Sequence, residues 1–299
     1  MNTLILKLGA TGDVVRTTPF LRHLDGDIVW ITADKNVALL DGIWGRLKCF
    51  SWENRNLAPK LTYDLVINLE DTVEVGQFAQ SFESRQTFGA CSEAGGTLNY
   101  TDDARAWFDL SLISRYGRER ADQLKLQNRK TYQELVFAGL GWKFTNDDTY
   151  LLPHGTDTNL TGDVAVAAEA GPVWPMKNWA YYRELQQALE KHGLKVNVLP
   201  KRPTLLEHLA DVRNHRCLVG GDSLPMHFAL GSHRRCVSIF NCTSPWEIYE
   251  YGLQTKLVSP LLNEFFYKRN FDARATTAIS LDDVLNAVLT QVEASAACK

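Results

Sequence analysis

The 299-residue sequence is poor in cysteine, and the six it has, at 49, 91, 217, 236, 242 and 298, form no Cys-x-x-Cys pair. Their spacing fits no zinc pattern and points to free, reduced thiols in a cytoplasmic protein. No apolar run approaches the ~18 residues that a membrane span requires. The first apolar run is broken by Asp13 and its polar neighbours, so it reads as neither signal peptide nor transmembrane segment. Neither sign of charge dominates: 32 Lys and Arg face 35 Asp and Glu, a formal net charge of -3. Up to residue 160 there are 17 basic and 21 acidic side chains, and beyond it 15 and 14. The basic stripe of a general nucleic-acid binder is therefore missing. Gly-x-Gly-x-x-Gly and Gly-x-x-x-x-Gly-Lys-[Ser/Thr] are also missing, which leaves a dinucleotide fingerprint or a P-loop unsupported.

What is present is ordinary globular composition, with 45% hydrophobic and 22% charged residues. Disorder, collagen-like repeats and coiled coil do not fit it. A chain of this length buries roughly 75% of its unfolded surface and needs no staples. At ~150 residues per domain the length suggests two domains.

The pattern along the chain is α/β. Thr3 to Leu8 is an apolar run of strand length, Gly9 to Asp13 a turn, and Val14 to Leu24 reads as a helix. Asp27 to Thr32 and Asp64 to Leu69 read as strands covered on both faces. Residues 101 to 141 look mainly helical, with one helix over Arg129 to Ala138 and a C-cap at Gly139 or Gly141. Residues 142 to 162 are polar and turn-rich and are expected to link domain 1-160 to domain 161-299.

A second series follows. Strands are expected at Asp163 to Glu169, Lys195 to Leu199, Cys217 to Gly220 and Cys236 to Phe240. Helices are expected at Trp179 to His192, Thr204 to Val212 and Leu224 to Leu230. Ser280 and Asp283 form a capping-box variant that starts the last helix, running to about Ala294. The expected architecture is two Rossmann-like α/β domains with a cleft between them, where such folds bind ligands.

Four segments could carry chemistry. Gly9-Ala-Thr-Gly-Asp13 puts a carboxylate where a sheet edge meets a helix N-terminus. Asp13 is then either a first-turn acid favoured by the macrodipole or a general base at the cleft. Gly220-Gly-Asp-Ser-Leu-Pro-Met-His227 offers glycines for close backbone approach and helix amides for phosphate. It also reads as a tight turn with Asp222 or Ser223 as N-cap and His227 in the core. Gly171-Pro-Val-Trp-Pro-Met-Lys-Asn-Trp179 sets Lys177 before a helix, either as an exposed loop lysine or as a phosphate contact. Phe240-Asn-Cys-Thr-Ser-Pro-Trp246 is a strand end running into a polar turn.

In this order the segments resemble glycosyltransferase family 9, the ADP-heptose:lipopolysaccharide heptosyltransferases and their relatives. The matching stretches are Leu4 to Gly9, Gly12-Asp13, Thr17-Thr-Pro19, Lys177-Asn-Trp179, Gly220 to His227 and Phe240-Asn-Cys-Thr-Ser-Pro245. Residues 35 to 160 do not align. The resemblance implies a GT-B fold, two Rossmann-like domains facing across a cleft. Two placements are open for the last helix: back on the first domain, as such helices often lie in GT-B proteins, or on the second. It implies an inverting, metal-independent transferase that moves a sugar, heptose by resemblance, from a nucleotide-diphosphate donor to an acceptor hydroxyl. ADP-heptose is then a substrate, and no cofactor is expected.

By the same resemblance Asp13 is the general base. Gly12, Lys177, Trp179, Asp222, Ser223, Leu224, Met226, His227 and Thr243 are donor-binding. The first domain takes the acceptor and the second the donor. The setting is cytoplasmic, including the inner face of the membrane, with an anionic glycan or glycolipid as a candidate acceptor. No D-x-D metal site stands out, and Lys177 with helix amides could stand in for a divalent ion. Asn241 departs from the family's glycine, and Leu199 to Cys217 is short by one strand–helix excursion. Lys201-Arg-Pro203 lies near where relatives place a ribose contact.

Residues 105 to 130 hold seven cationic against three anionic side chains. They read either as a solvated helix face with an Arg118–Asp122 pair or as a rim for an anionic acceptor, with Arg115, Arg118 and Arg120 as contacts. Trp107, Phe108 and Tyr116 there are either sugar-stacking or core. Two other functions fit the scaffold: a nucleotide-sugar epimerase, and a non-catalytic nucleotide-sugar-binding protein.

Overall fold

The computed structural model describes residues 1–93 and 95–297. The chain forms two compact units, Met1–Pro153 and His154–Lys299.

The first unit is built on a six-stranded sheet in the order β3-β2-β1-β4-β5-β6. The strands are β1 Thr3–Leu6, β2 Ile28–Thr32, β3 Leu47–Ser51, β4 Tyr63–Asn68, β5 Ser84–Ser92 and β6 Leu98–Tyr100. All neighbours are parallel except β5 and β6. Side chains alternate between two cores. Ile5, Ile28, Trp30 and Ile67 enter one, with Phe20, Phe108, Val136 and Phe137. Leu4, Leu6, Val29, Ile31 and Val66 enter the other, with Val75 and Ala79. Burial on both faces explains why these strands read as continuous apolar runs.

The expected helix after β1 is two pieces. An α-helix spans Thr11–Thr17, and a 3₁₀ turn spans Thr18–His23. Pro19 has no N–H to continue the α ladder, and the Thr18 hydroxyl donates to the Val15 carbonyl at 2.7 Å. The helix expected from Arg129 starts instead at Tyr132, because Thr131 and Glu134 close a capping box. It ends at Gly139. Gly141 (φ +74°) takes the left-handed position, and the Trp142 amide reaches back to the Phe137 carbonyl at 2.8 Å.

The second unit has a five-stranded parallel sheet in the order β11-β10-β9-β7-β8. The strands are β7 Gly162–Ala167, β8 Val196–Val198, β9 His215–Gly221, β10 Arg235–Phe240 and β11 Gln254–Val258. One helix, Leu205–Arg213, joins β8 to β9. The last helix, Leu281–Ala297, lies on its own unit's sheet, the second of the two placements above. Its Val284, Val288 and Val292 share a core with Leu185, Leu189, Val219 and Val237. A four-residue spacing puts the three valines on one helix face. Cys49, Cys91, Cys217, Cys236 and Cys242 are free thiols, and Cys298 lies outside the described residues. Among the described residues no helix is long and apolar enough to cross a membrane.

Candidate functional site

In the first unit, β1 delivers the turn 7–10 to the start of the helix Thr11–Thr17. Ala10 is the N-cap and the Gly9–Ala10 peptide is cis. Asp13 is therefore the third helical residue. Its amide bonds the Ala10 carbonyl at 2.9 Å, and among the described residues no side chain caps this helix. The carboxylate is thus not a cap; it faces cations. Oδ1 lies 2.9 Å from Arg16 and Oδ2 lies 4.0 Å from Lys7. The Arg16 guanidinium stacks over the Tyr132 ring at 4.2 Å and the Trp107 ring at 5.3 Å. The Thr17 hydroxyl donates to the Asp13 carbonyl at 2.7 Å and meets the Tyr132 hydroxyl at 2.8 Å. The turn is also tied by Asn36, which donates to the Leu8 carbonyl at 2.6 Å and accepts from Thr11 at 2.8 Å.

In the basic stretch Arg115, Arg118 and Arg120 bond residues of their own unit, and the Arg118–Asp122 pair of the solvated-face reading is present. Arg115 donates to Asn99 and Asp102 at 2.9 Å each and to the Tyr100 carbonyl, and lies over the Tyr100 ring. It clamps β6. Arg118 pairs with Asp122 at 3.2 Å, and Arg120 bonds Gln123 at 3.2 Å. Lys125 of this stretch shares an aromatic with the Asp13 cluster, 5.7 Å from the Trp107 ring. Phe108 is core, Trp107 packs edge-on to Tyr132, and Tyr116 is exposed.

In the second unit, the ends of β7, β9 and β10 bring three of the predicted segments together. The Lys177 ammonium donates to the Asp222 carbonyl at 2.6 Å and to its carboxylate at 3.1 Å. Burial pushes the Asp222 carboxyl up, but Lys177, then His227 and Thr243, outweigh it, and the net position is below the ordinary carboxylate value. The pair stands at the start of the helix Leu224–Gly231. Ser223 is the N-cap, and among the described residues no side chain caps that helix. Its first turn holds no acid, and Pro225 has no N–H. The amides of Ser223 and Leu224 lie at this start, where the helix dipole favours an anion.

The glycines of this segment serve packing. A Cβ on Gly220 would meet Ala167 Cβ at 2.8 Å, and one on Gly221 the Lys177 carbonyl at 3.1 Å. Close approach of β9 to β7 requires Gly220, and Gly221 lies tight against the lysine loop. Asn241, the departure from the family pattern, has a structural use: it donates to the Met176 carbonyl at 2.9 Å and so holds the lysine loop. Cys242 packs with Met176, Phe265 and Ala275 under the same loop. Burial pushes its thiol up to about 11, which makes it a poor nucleophile at neutral pH.

Two residues expected to contact the donor, Trp179 and Met226, are buried in the core. Trp179 is 3% exposed and donates its indole N–H to the Ile279 carbonyl at 2.9 Å. Met226 is 1% exposed. His227 and Thr243 are also buried, and the charge of His227 favours the Asp222 carboxylate. Gly12, Ser223 and Leu224 remain partly exposed. Sequence reasoning missed Lys7, Arg16, Asn36 and Glu70. A signal existed for two of them: Lys7 and Glu70 are charges that end apolar runs at the carboxyl ends of parallel strands. Among the described residues no group of His, Cys, Asp or Glu could hold a metal ion.

No protein-family model matches the chain, and no curated protein matches it. Solved structures do. A family 9 glycosyl transferase from Veillonella parvula is 16% identical with a TM-score of 0.68, over 98% of this chain and 97% of that one. The E. coli heptosyltransferase WaaC with ADP is 16% identical with a TM-score of 0.60, over 99% of this chain and 100% of that one. The iron-containing dodecameric glycosyltransferase TibC of enterotoxigenic E. coli is 12% identical with a TM-score of 0.61, over 99% of this chain and 76% of that one. The chain therefore has the GT-B fold of these glycosyltransferases, with two Rossmann-like α/β units.

Proposed function

We propose that the chain is an inverting glycosyltransferase that moves a sugar from a nucleotide-diphosphate donor to an acceptor hydroxyl, with ADP-heptose as the favoured donor and a glycan as acceptor. The first unit takes the acceptor and the second the donor. One observation carries this reading: Lys177 is held on Asp222 beside a helix start that no side chain caps among the described residues. A cation and helix amides together suit a diphosphate. The fold shared with family 9 structures supports the same reading.

In the transfer, Asp13 takes the proton of the acceptor hydroxyl. The acceptor oxygen bonds the anomeric carbon while the opposite carbon–oxygen bond breaks, and the electron pair leaves with the diphosphate. Lys177 and the amides of Ser223 and Leu224 stabilise that charge. The positive charge in this scheme comes from the chain, and no metal takes part.

The test is a thermal-shift panel of ADP, ADP-heptose and other nucleotide sugars, with and without EDTA, followed by turnover of the best binder. A ligand at ~100 Kd adds about 2.7 kcal/mol and raises Tm. If no nucleotide or nucleotide sugar raises Tm, the reading is wrong. If EDTA abolishes turnover, the metal-free part of it is wrong.

A further inference from the structure

The segment around Asp13 holds more charge than a lone base needs. The Lys7 and Glu70 side chains are nearly buried, 10% and 12% exposed. Parallel pairing of β1 with β4, Leu6 opposite Asn68, sets both at the carboxyl ends of these two central strands. A single Glu70 oxygen, Oε1, accepts from the Lys7 ammonium at 2.8 Å, the Leu8 amide at 2.9 Å and the Gly9 amide at 3.3 Å. Glu70 is fixed in turn, since its own amide donates to Asn68 Oδ1 at 3.1 Å and Asn68 donates to the Ala90 carbonyl at 2.9 Å. One carboxylate thus anchors the peptide that runs from β1 into the helix bearing Asp13. It also anchors the ammonium that stands 4.0 Å from Asp13 Oδ2.

We propose that Lys7 and Glu70 are a positioning couple for Asp13, in which Glu70 holds the Lys7 ammonium back from Oδ2. Lys7 sits close enough to favour the ionised carboxylate. It is kept 4.0 Å from Oδ2, so that this oxygen, and not the Oδ1 that Arg16 holds at 2.9 Å, takes the proton. Charge interactions weaken with distance, so the shorter contact gives the ammonium to Glu70 first. A neutral residue at 70 lets Lys7 close on Asp13 and weakens the base. A neutral residue at 7 leaves Glu70 as an unbalanced anion beside Asp13 and strengthens proton binding. The ionisable groups that face the cluster include Arg16 from Asp13's own helix and the Tyr132 phenol from the helix Tyr132–Gly139. Burial pushes that phenol up, so it stays neutral throughout the range tested.

The inference rests on reading Asp13 as the base, but its test needs no substrate. Aspartate-labelled full-length protein is titrated by ¹³C carboxyl NMR, with Asp13→Asn identifying the Asp13 signal. Glu70→Gln is expected to lower the Asp13 midpoint by about one unit and Lys7→Gln to raise it by about as much. The double variant is expected to return it close to the parent. Opposite shifts that cancel come from a charge couple, and a folding defect gives no such cancellation. The proposal is overturned if both single variants move the midpoint the same way, or if neither moves it. If the midpoints move as stated while no nucleotide sugar is turned over, the couple stands and the transferase reading falls. Where a donor is turned over, Glu70→Gln also lowers kcat at unchanged KM and moves the acid limb of kcat to lower pH.

Discussion

Asp13 and Lys177 have separable tasks in the proposed transfer, and single substitutions separate them. General-base catalysis contributes ~10²–10⁴-fold, so Asp13→Asn is expected to cut turnover by about that much and leave ADP affinity intact. Lys177→Ala removes a charge-assisted hydrogen bond to the diphosphate, about 1.5–3 kcal/mol. ADP binding by calorimetry should then weaken about 10–100-fold. Equal ADP affinity in the parent and Lys177→Ala would take the lysine out of the donor site. Asp222 titrates below the ordinary carboxylate value, so its stabilisation is complete above the unfolded value and is lost as pH falls through the folded one. Urea unfolding should show Asp222→Asn less stable by about 1–3 kcal/mol at pH 7. That gap should close as the pH drops below about 4. A gap that widens in acid would reverse the assignment of charge to Asp222. The sequence pointed to both residues by motif order. It could not show that Trp179 spends its indole N–H on Ile279, or that Arg115 spends its guanidinium on β6. Those commitments are made by residues distant in the chain.

At the scale of elements, strands buried on both faces were legible as apolar runs: β1, β2, β4, β7, β9 and β10; the edge strand β8 was legible too. The strands missed are β3, β5, β6 and β11. Three of these are sheet edges. An edge strand is covered on fewer sides and carries residues such as Lys48, Asn99 and Lys256. β5 lies beside an edge, and Ser84 to Thr87 are not buried, so its polar start hid it. A helix start was legible at its cap residue, Thr204, while the capping box at Thr131 was passed over for a start at Arg129; both residues close capping boxes. Thr131→Ala and Thr204→Ala are each expected to cost about 1 kcal/mol in urea unfolding. Gly141→Ala, at φ +74°, is expected to cost about 1–2 kcal/mol for the left-handed backbone. Unchanged midpoints in all three would mean that these helix ends add nothing to stability.

At the scale of the whole molecule, each unit buries its own core around its own sheet. The units divide between Pro153 and His154. Ligand contacts are therefore readable unit by unit. In the proposed division of labour the diphosphate belongs to the second unit, at Lys177 and the start of Leu224–Gly231. A ligand that binds only the folded form stabilises it by mass action, and it suppresses local opening where it binds. Hydrogen exchange with ADP at saturation should therefore slow most in residues 171–180 and 220–231. The segment 7–13, the turn and the helix start that bears Asp13, should change less with ADP alone, because ADP carries no acceptor. Adding an acceptor should then bring protection to that segment. Protection by ADP that is strongest at 7–13, with 220–231 unchanged, would assign the donor to the wrong unit and overturn the roles given to Lys177 and Asp13 together.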